Sequence, residues 1–210
     1  MSPTNVSPTD VSPATIPQDS PSEGRNLILK TARLVLRAPR MADAAALAAL
    51  AADRRVAENT SRLPHPYGLA DAEDFIAAVR AGSEHAFVVA READGAILGV
   101  SGLSDIAGST PEIGYWFGVP HWGRGYATEA ARALIDHVFC DLDHEALEGA
   151  ARISNPASRR VLEKCGFQWT GAALQRFHAI NSSAPIDRFR LDRNLWASLK
   201  SWGAATETAA

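Results

Sequence analysis

Cysteine is scarce in this sequence. Cys140 and Cys165 are the only two in 210 residues, too few for a disulfide framework and without the C-x-x-C spacing of a zinc or redox site. A reducing compartment fits that usage. Positive charge is not in excess either: 21 Lys and Arg against 24 Asp and Glu leave a formal charge of −3. Sequence-independent binding to a phosphate backbone therefore has no electrostatic support, and nucleic acid is not an expected partner. Long hydrophobic runs are missing too. No window approaches the roughly 18 apolar residues of a spanning helix, and the N-terminus lacks the basic and apolar regions of an export signal. A soluble, cytoplasmic protein without membrane association is expected. Residues 1–24 also have almost no large apolar side chains. They carry Pro3, Pro8, Pro13, Pro17 and Pro21 and repeat the unit SPTNV, SPTDV, SPATI. Proline removes backbone donors and nothing offsets the ordering entropy, so a disordered tail is expected there.

The chain as a whole is 46% hydrophobic, enough for one core and one domain over 27–202, with a flexible end at 203–210. In R-L-V-L-R, Leu34 and Leu36 alternate with Arg33, Val35 and Arg37, which predicts a strand. Asp43 opens an Ala- and Leu-rich helix to Ala52 as its N-cap. A second helix is expected from about Ala70 to Ala81, with Ala72, Phe75, Ile76 and Val79 on one face. Asp94-Gly95 separates two β-rich runs, 86–90 and 97–103, and predicts an antiparallel hairpin. A turn through Gly108, Ser109, Thr110 and Pro111 leads to an aromatic strand, Glu112 to Val119. From Tyr126 to about Phe139 a helix puts Ala127, Ala130, Ala131, Leu134 and Val138 on its apolar stripe, and Glu129, Arg132 and Asp136 on its wet face. After a short strand at 147–153, Asn155 caps a helix with Pro156 at its first position and Gly166 past its end. Closing strands are expected at 167–170 and 188–193. The class is mixed α/β, with a topology this pattern leaves open.

The segment between the aromatic strand and the following helix carries the chemistry. Gly123 and Gly125 have no Cβ, so successive N–H groups can converge at a helix N-terminus, where free donors and the dipole favour an anion such as a pyrophosphate. A tight strand-to-helix turn is the other reading. The spacing G-x-G-x-x-T matches neither the dinucleotide fingerprint nor the nucleotide P-loop.

Five stretches in order, T-x-R-L-x-L-R at Thr31 to Arg37, L-P-H-P-Y at Leu63 to Tyr67, E-I-G-Y-W-F at Glu112 to Phe117, W-G-R-G-Y-A-T-E-A at Trp122 to Ala130, and N-P-A-S-R-R-V-L-E-K-C-G-F at Asn155 to Phe167, resemble the GCN5-related N-acetyltransferases. Within them the likeness is to the branch that acetylates the N-termini of ribosomal proteins. The resemblance implies a mostly antiparallel, V-splayed sheet flanked by helices, with the acyl-CoA pantetheine lying in the splay. It implies acetyl-CoA as acyl donor, held by Phe117, Gly118, Val119, Gly123, Arg124, Gly125, Tyr126, Ala127, Thr128, Asn155 and Ser158. The first position of the family's phosphate loop, usually Gln or Arg, is Trp122 here, as is frequent in this branch, and one side-chain donor is lost.

Acetyl transfer to an amine needs an unprotonated amine, a stabilised oxyanion and a proton for the departing thiolate. Glu112 is the candidate base, directly or through water; a solvated strand-end glutamate is its bland alternative. The resemblance points to a backbone N–H near Phe117 or Val119, at a bulge, for the oxyanion. It points to Ser158 for the proton; the alternative for Ser158 is a first-turn residue bonding local backbone. Arg124, or Arg159 with Arg160, would add charge to the CoA phosphates, or be merely solvated. Cys165 is read as a small buried thiol rather than a nucleophile. Cys140, Asp141, Asp143, His144 and Glu145 read as a polar helix-end loop, and no metal is required. Trp116, Phe117 and Trp122 read as core or pocket walls. The acceptor segments are placed at 63–67 and 175–185. A protein N-terminal α-amine is the leading acceptor, with a small-molecule amine or a non-catalytic acyl-CoA sensor as the alternatives. Apolar area exposed on the sheet would let two subunits pair as a homodimer.

Overall fold

The computed structural model describes residues 27–104 and 110–207, with side chains described through Trp202. The repetitive N-terminal segment and Gly108 and Ser109 of the turn at 108–111 lie outside the described residues. Eight strands form one sheet in the order β1-β2-β3-β4-β5-β6-β8-β7. They are β1 (Ile28–Lys30), β2 (Leu34–Arg37), β3 (His85–Arg91), β4 (Ile97–Ser104), β5 (Glu112–Phe117), β6 (Ala146–Arg152), β7 (Gln168–Phe177) and β8 (Ser182–Asp192). The helices are α1 (Ala44–Ala51), α2 (Arg54–Ala57), α3 (Leu69–Ala81), α4 (Tyr126–Cys140), α5 (Pro156–Lys164) and α6 (Arg193–Glu207). The last helix runs to Glu207, past residue 202.

Local sequence explains most of these elements. Leu34 and Leu36 are fully buried while Val35 and Arg37 between them are partly open, as a half-buried strand requires. The Asp94-Gly95 turn joins β3 to β4 with Gly95 at a φ of 71°. Asp43 is not a conventional cap. Its carboxylate accepts two hydrogen bonds from the Arg37 guanidinium, at 2.7 and 2.8 Å, and a third from the Arg40 N–H at 2.8 Å, so it ties α1 back to β2. Asn155 does cap α5: its Oδ1 accepts the Ser158 N–H at 3.2 Å, and Pro156 follows as predicted. The closing strands are far longer than 167–170 and 188–193. β7 and β8 form a hairpin of ten and eleven residues that takes up the segment expected to be an acceptor loop at 175–185.

The sheet has helices on both faces. Ala131, Leu134 and Val138 of α4 and Leu162 of α5 pack with Ile113, Leu147 and Phe189 on one side. On the other, Leu47 and Ala51 of α1 and Ala72 and Ile76 of α3 pack with Val88 and Val100. The feature that positions the site lies in the middle of the sheet. β4 and β5 are in register over six pairs and β6 and β8 over seven, but β5 and β6, the parallel neighbours, pair only at Glu112↔Glu148 and Ile113↔Gly149. Beyond Ile113 the two strands part. α4 and α5 each begin after the C-terminal end of one of these strands, so both helix N-termini face the opening.

Candidate active site

The wedge between β5 and β6 has a donor built into it. Gly118 N–H bonds the Leu98 carbonyl at 2.9 Å, which makes Gly118 and Leu98 a hydrogen-bonded pair of the antiparallel ladder. Alternation then directs the Phe117 N–H away from β4, into the wedge. No bulge is needed, and the β4–β5 register has no shift; the expected bulge is corrected to a regular strand whose other neighbour has left.

After Phe117 the chain makes a 3-10 turn over Val119–His121 and reaches α4 through Trp122 to Gly125. The Trp122 indole N–H donates to the Phe117 carbonyl at 2.6 Å, pinning the loop to the strand end. Gly123 and Gly125 sit at φ of 71° and 79°, the left-handed region that L side chains resist. Among the described residues, the backbone N–H groups of Gly123, Arg124, Gly125, Tyr126, Ala127 and Thr128 meet no acceptor within the chain. Six consecutive donors at the N-terminus of a fifteen-residue helix are what a diphosphate needs. The surroundings are also positive. His121 is held below its ordinary value by partial burial and by the guanidiniums of Arg91 and Arg124.

The first turn of α4 is fastened from outside. Glu129, expected on the wet face, accepts from the Thr31 hydroxyl at 2.6 Å and from the Arg33 backbone N–H at 2.9 Å, and pairs with the Arg33 guanidinium at 2.6 Å. Burial pushes its carboxyl up, but these donors outweigh that and hold it below the usual carboxylate range. Arg33 also stacks 4.8 Å from the Tyr126 ring centroid and donates to the Arg124 carbonyl at 3.1 Å. Thr31 and Arg33 lie 98 and 96 residues from Glu129, beyond the reach of any local sequence pattern.

On the other wall, Ser158 lies in the first turn of α5. Its Oγ is 3.1 Å from the Tyr115 hydroxyl, which is also 3.2 Å from the Ser158 carbonyl oxygen. Burial pushes the Tyr115 phenol well above its ordinary value, against the opposing hydrogen bond from Ser158, so it stays protonated. The sequence reading missed Tyr115 because its role depends on a helix 43 residues away. Ser158, Tyr115 and Glu112 line one cleft, together with Gly114, Ala150, Ala151 and Arg152, the loop Asn59 to Ser61, and Gln175, Phe177 and Ile186. The 63–67 stretch is not part of that lining; Leu63 and Tyr67 pack into the α1–α3 core instead. Glu112 is one-third exposed and 4.0 Å from Arg188, which also pairs with Glu148 at 3.2 Å.

Other candidates fall outside the cleft. Arg159 pairs with Glu163 and Asp187 and stacks over Phe189, so ion pairs within the fold engage its guanidinium. Burial pushes the Cys165 thiol up to about 11, which keeps it protonated and a poor nucleophile. In the polar loop after α4, Arg193 engages Asp143, Glu145 and the His144 carbonyl, while Asp141 bonds His137. Among the described residues no group of three or more His, Cys, Asp or Glu side chains is placed to hold a metal, and no helix is long and apolar enough to cross a membrane.

The acetyltransferase (GNAT) domain family matches residues 33–168. The chain belongs to the GCN5-related N-acetyltransferases. It is 31% identical to an uncharacterized N-acetyltransferase p20 of Bacillus licheniformis over 150 residues, 68% of this chain and 83% of that one. It is 35% identical to the ribosomal-protein-serine acetyltransferase of Escherichia coli (strain K12) over 66 residues, 31% of this chain and 37% of that protein. Among solved structures, the spermidine N-acetyltransferase of Vibrio cholerae in complex with CoA and spermine superposes with a TM-score of 0.67 at 20% identity, covering 80% of this chain and 99% of that one. As a GNAT enzyme the protein uses acetyl-CoA as acyl donor. Its cradle at 123–128 suits the diphosphate, and the parted strands β5 and β6 suit the pantetheine arm, which is amide-rich and bonds strand edges readily. Asn155 remains available for that arm, since its Nδ2 donates to no acceptor among the described residues while Oδ1 caps α5.

Proposed function

We propose that this GNAT enzyme acetylates an α-amine, most naturally the N-terminus of a protein or peptide, by direct attack of the amine on the thioester. The observation that carries the reading is that Glu112 and Ser158 both line one cleft at the β5–β6 wedge. Glu112 receives the ammonium proton, directly or through water. An α-amine has a reference pKa of about 8, against about 10.4 for lysine, so a partly exposed carboxylate of modest basicity suffices. The Phe117 N–H stabilises the oxyanion of the tetrahedral intermediate, at a point where charge develops. As the C–S bond breaks, the Ser158 hydroxyl gives its proton to the departing thiolate and is restored by the proton released from the amine. The backbone of Gly123 to Thr128 and the side chain of Asn155 hold the donor in place throughout. Likeness to a ribosomal-protein acetyltransferase supports a peptide acceptor.

The test is acetylation of short free-amine peptides, followed by mass spectrometry, with Ser158→Ala and Glu112→Gln beside the wild type. Ser158→Ala should lower kcat roughly 100-fold, the scale of a lost general acid, with acetyl-CoA affinity kept. Glu112→Gln should lower kcat most at pH 6–7, where the amine is mostly protonated. Full activity in both variants would sink the assignment.

A further inference from the structure

Arg152 borders the acceptor side of the cleft and is used by none of the steps above. It is the last residue of β6. Its Nη1 donates to the Glu58 carbonyl, and its guanidinium stacks 5.1 Å from the Phe177 ring centroid. Its Nε is buried and has no hydrogen-bond acceptor among the described residues. A guanidinium so held is restrained on one side, and of its five N–H groups only one is given to Glu58. The buried Nε is closed to a ligand, so the N–H groups left to meet one are on Nη1 and Nη2, which have no further acceptor among the described residues.

We propose, on the amine-acetylation reading above, that Arg152 forms a subsite for an oxygen acceptor on the amine substrate, a carboxylate or a carbonyl, and that it excludes polyamines. The two functions have one cause. A fixed cation completes its hydrogen bonding with an oxygen from the substrate, and the same charge repels a second ammonium carried on an alkyl chain. The local charge agrees. Of the carboxylates nearby, Glu112 and Glu148 are already shared with Arg188, and Glu148 also with Arg190. Among the described residues that line the cleft the one carboxylate is Glu112, which lies beside Arg188 and shares the lining with Arg152. The substrate class is therefore an amine with an oxygen acceptor a few bonds away: a peptide N-terminus, whose first carbonyl fills the subsite, or a free amino acid, whose carboxylate does.

The experiment compares kcat/KM of the wild type and of Arg152→Met and Arg152→Lys for four acceptors: an alanyl peptide amide, free alanine, n-butylamine and spermidine. The wild type should prefer the alanyl acceptors to n-butylamine and turn over spermidine least. Arg152→Met should reduce the alanyl-to-butylamine preference roughly 10- to 100-fold, the range of a lost charge-assisted hydrogen bond, through KM rather than kcat. Spermidine should gain relative to the alanyl acceptors. Arg152→Lys, which keeps the charge and guards against a mere folding defect, should still disfavour spermidine while losing part of the alanyl preference. The peptide amide outrunning free alanine assigns the subsite to a carbonyl, and the reverse to a carboxylate. An unchanged preference ratio in Arg152→Met, or wild-type turnover of spermidine equal to that of the peptide, overturns the proposal while leaving amine acetylation intact. Wild-type protein that binds acetyl-CoA yet acetylates none of the four overturns the reading beneath it as well.

Discussion

The Tyr115 hydroxyl is placed to decide what the Ser158 hydroxyl does. The phenol proton is donated to the Ser158 carbonyl at 3.2 Å, and the phenol oxygen lies 3.1 Å from Ser158 Oγ, so the tyrosine holds the serine hydroxyl in place at the cleft. Burial keeps the phenol protonated, so that contact persists at ordinary pH. Tyr115→Phe should therefore lower kcat roughly 10-fold, the scale of one hydrogen bond, without loosening acetyl-CoA. Because the tyrosine acts through the serine, Tyr115→Phe combined with Ser158→Ala should be no slower than Ser158→Ala alone. Steady-state kinetics on the three variants checks this, and additive losses would remove Tyr115 from the mechanism. Gly123 and Gly125 make a second argument at this scale. That their N–H groups can converge was legible from the missing Cβ atoms, whereas their positive φ and the partners of Arg33 and Glu129 were not, since ion pairs across 96 residues leave no local pattern.

The start of α1 shows how an element is fastened. Asp43 and Arg37 have side chains only 9% and 16% exposed and meet at 2.7 Å. Burial pushes the Asp43 carboxyl up, but the Arg37 hydrogen bonds, the Arg40 N–H and the nearby cations prevail and hold it below its ordinary value. A carboxyl with a lowered folded-state pKa contributes stability above its unfolded value near 4 and loses it as pH falls through the folded one. Asp43→Asn should accordingly cost on the order of 3 kcal/mol at pH 7, since it leaves Arg37 buried without its counter-charge. The deficit against wild type should shrink below pH 4. Urea unfolding at pH 7 and pH 3 measures both, and an equal deficit at the two values would refute the charge-pair account. Among the helices, α5 was the most legible from sequence, because an asparagine cap, an N1 proline and a terminal glycine all act within a few residues. By contrast the β7–β8 hairpin was read short. β7 buries only Phe177, and the outer part of β8 buries Ala184 and Ile186 in a small cluster apart from the main core, so the apolar signal of the hairpin is thin along the chain.

At the scale of the whole molecule, the two halves of the sheet are joined by one short parallel contact, and the donor is expected to fill the gap where they part. Binding should therefore stabilise the native state as a whole. At about 100 times Kd, acetyl-CoA should add roughly 2.7 kcal/mol, which for a domain of this size is a rise in Tm of about 5 to 10 °C. A thermal melt with and without acetyl-CoA reads it directly, with NAD and ATP as controls. No shift at millimolar acetyl-CoA would undermine the cradle at 123–128.

By itself the sequence determined the elements and the chemistry carried on single segments: the alternation of β2, the caps of α5, the glycine loop before α4, and Glu112 and Ser158 as residues to watch. Each rests on interactions within a few positions of the chain, where periodicity and residue type are sufficient. Tertiary structure alone decided how those segments meet. The divergence of β5 from β6, the Tyr115–Ser158 contact, the Arg33–Glu129 clamp and the Arg152–Phe177 stack all depend on the register and twist of strands far apart in sequence. Such contacts form only once the core has fixed both partners, and no local pattern encodes them.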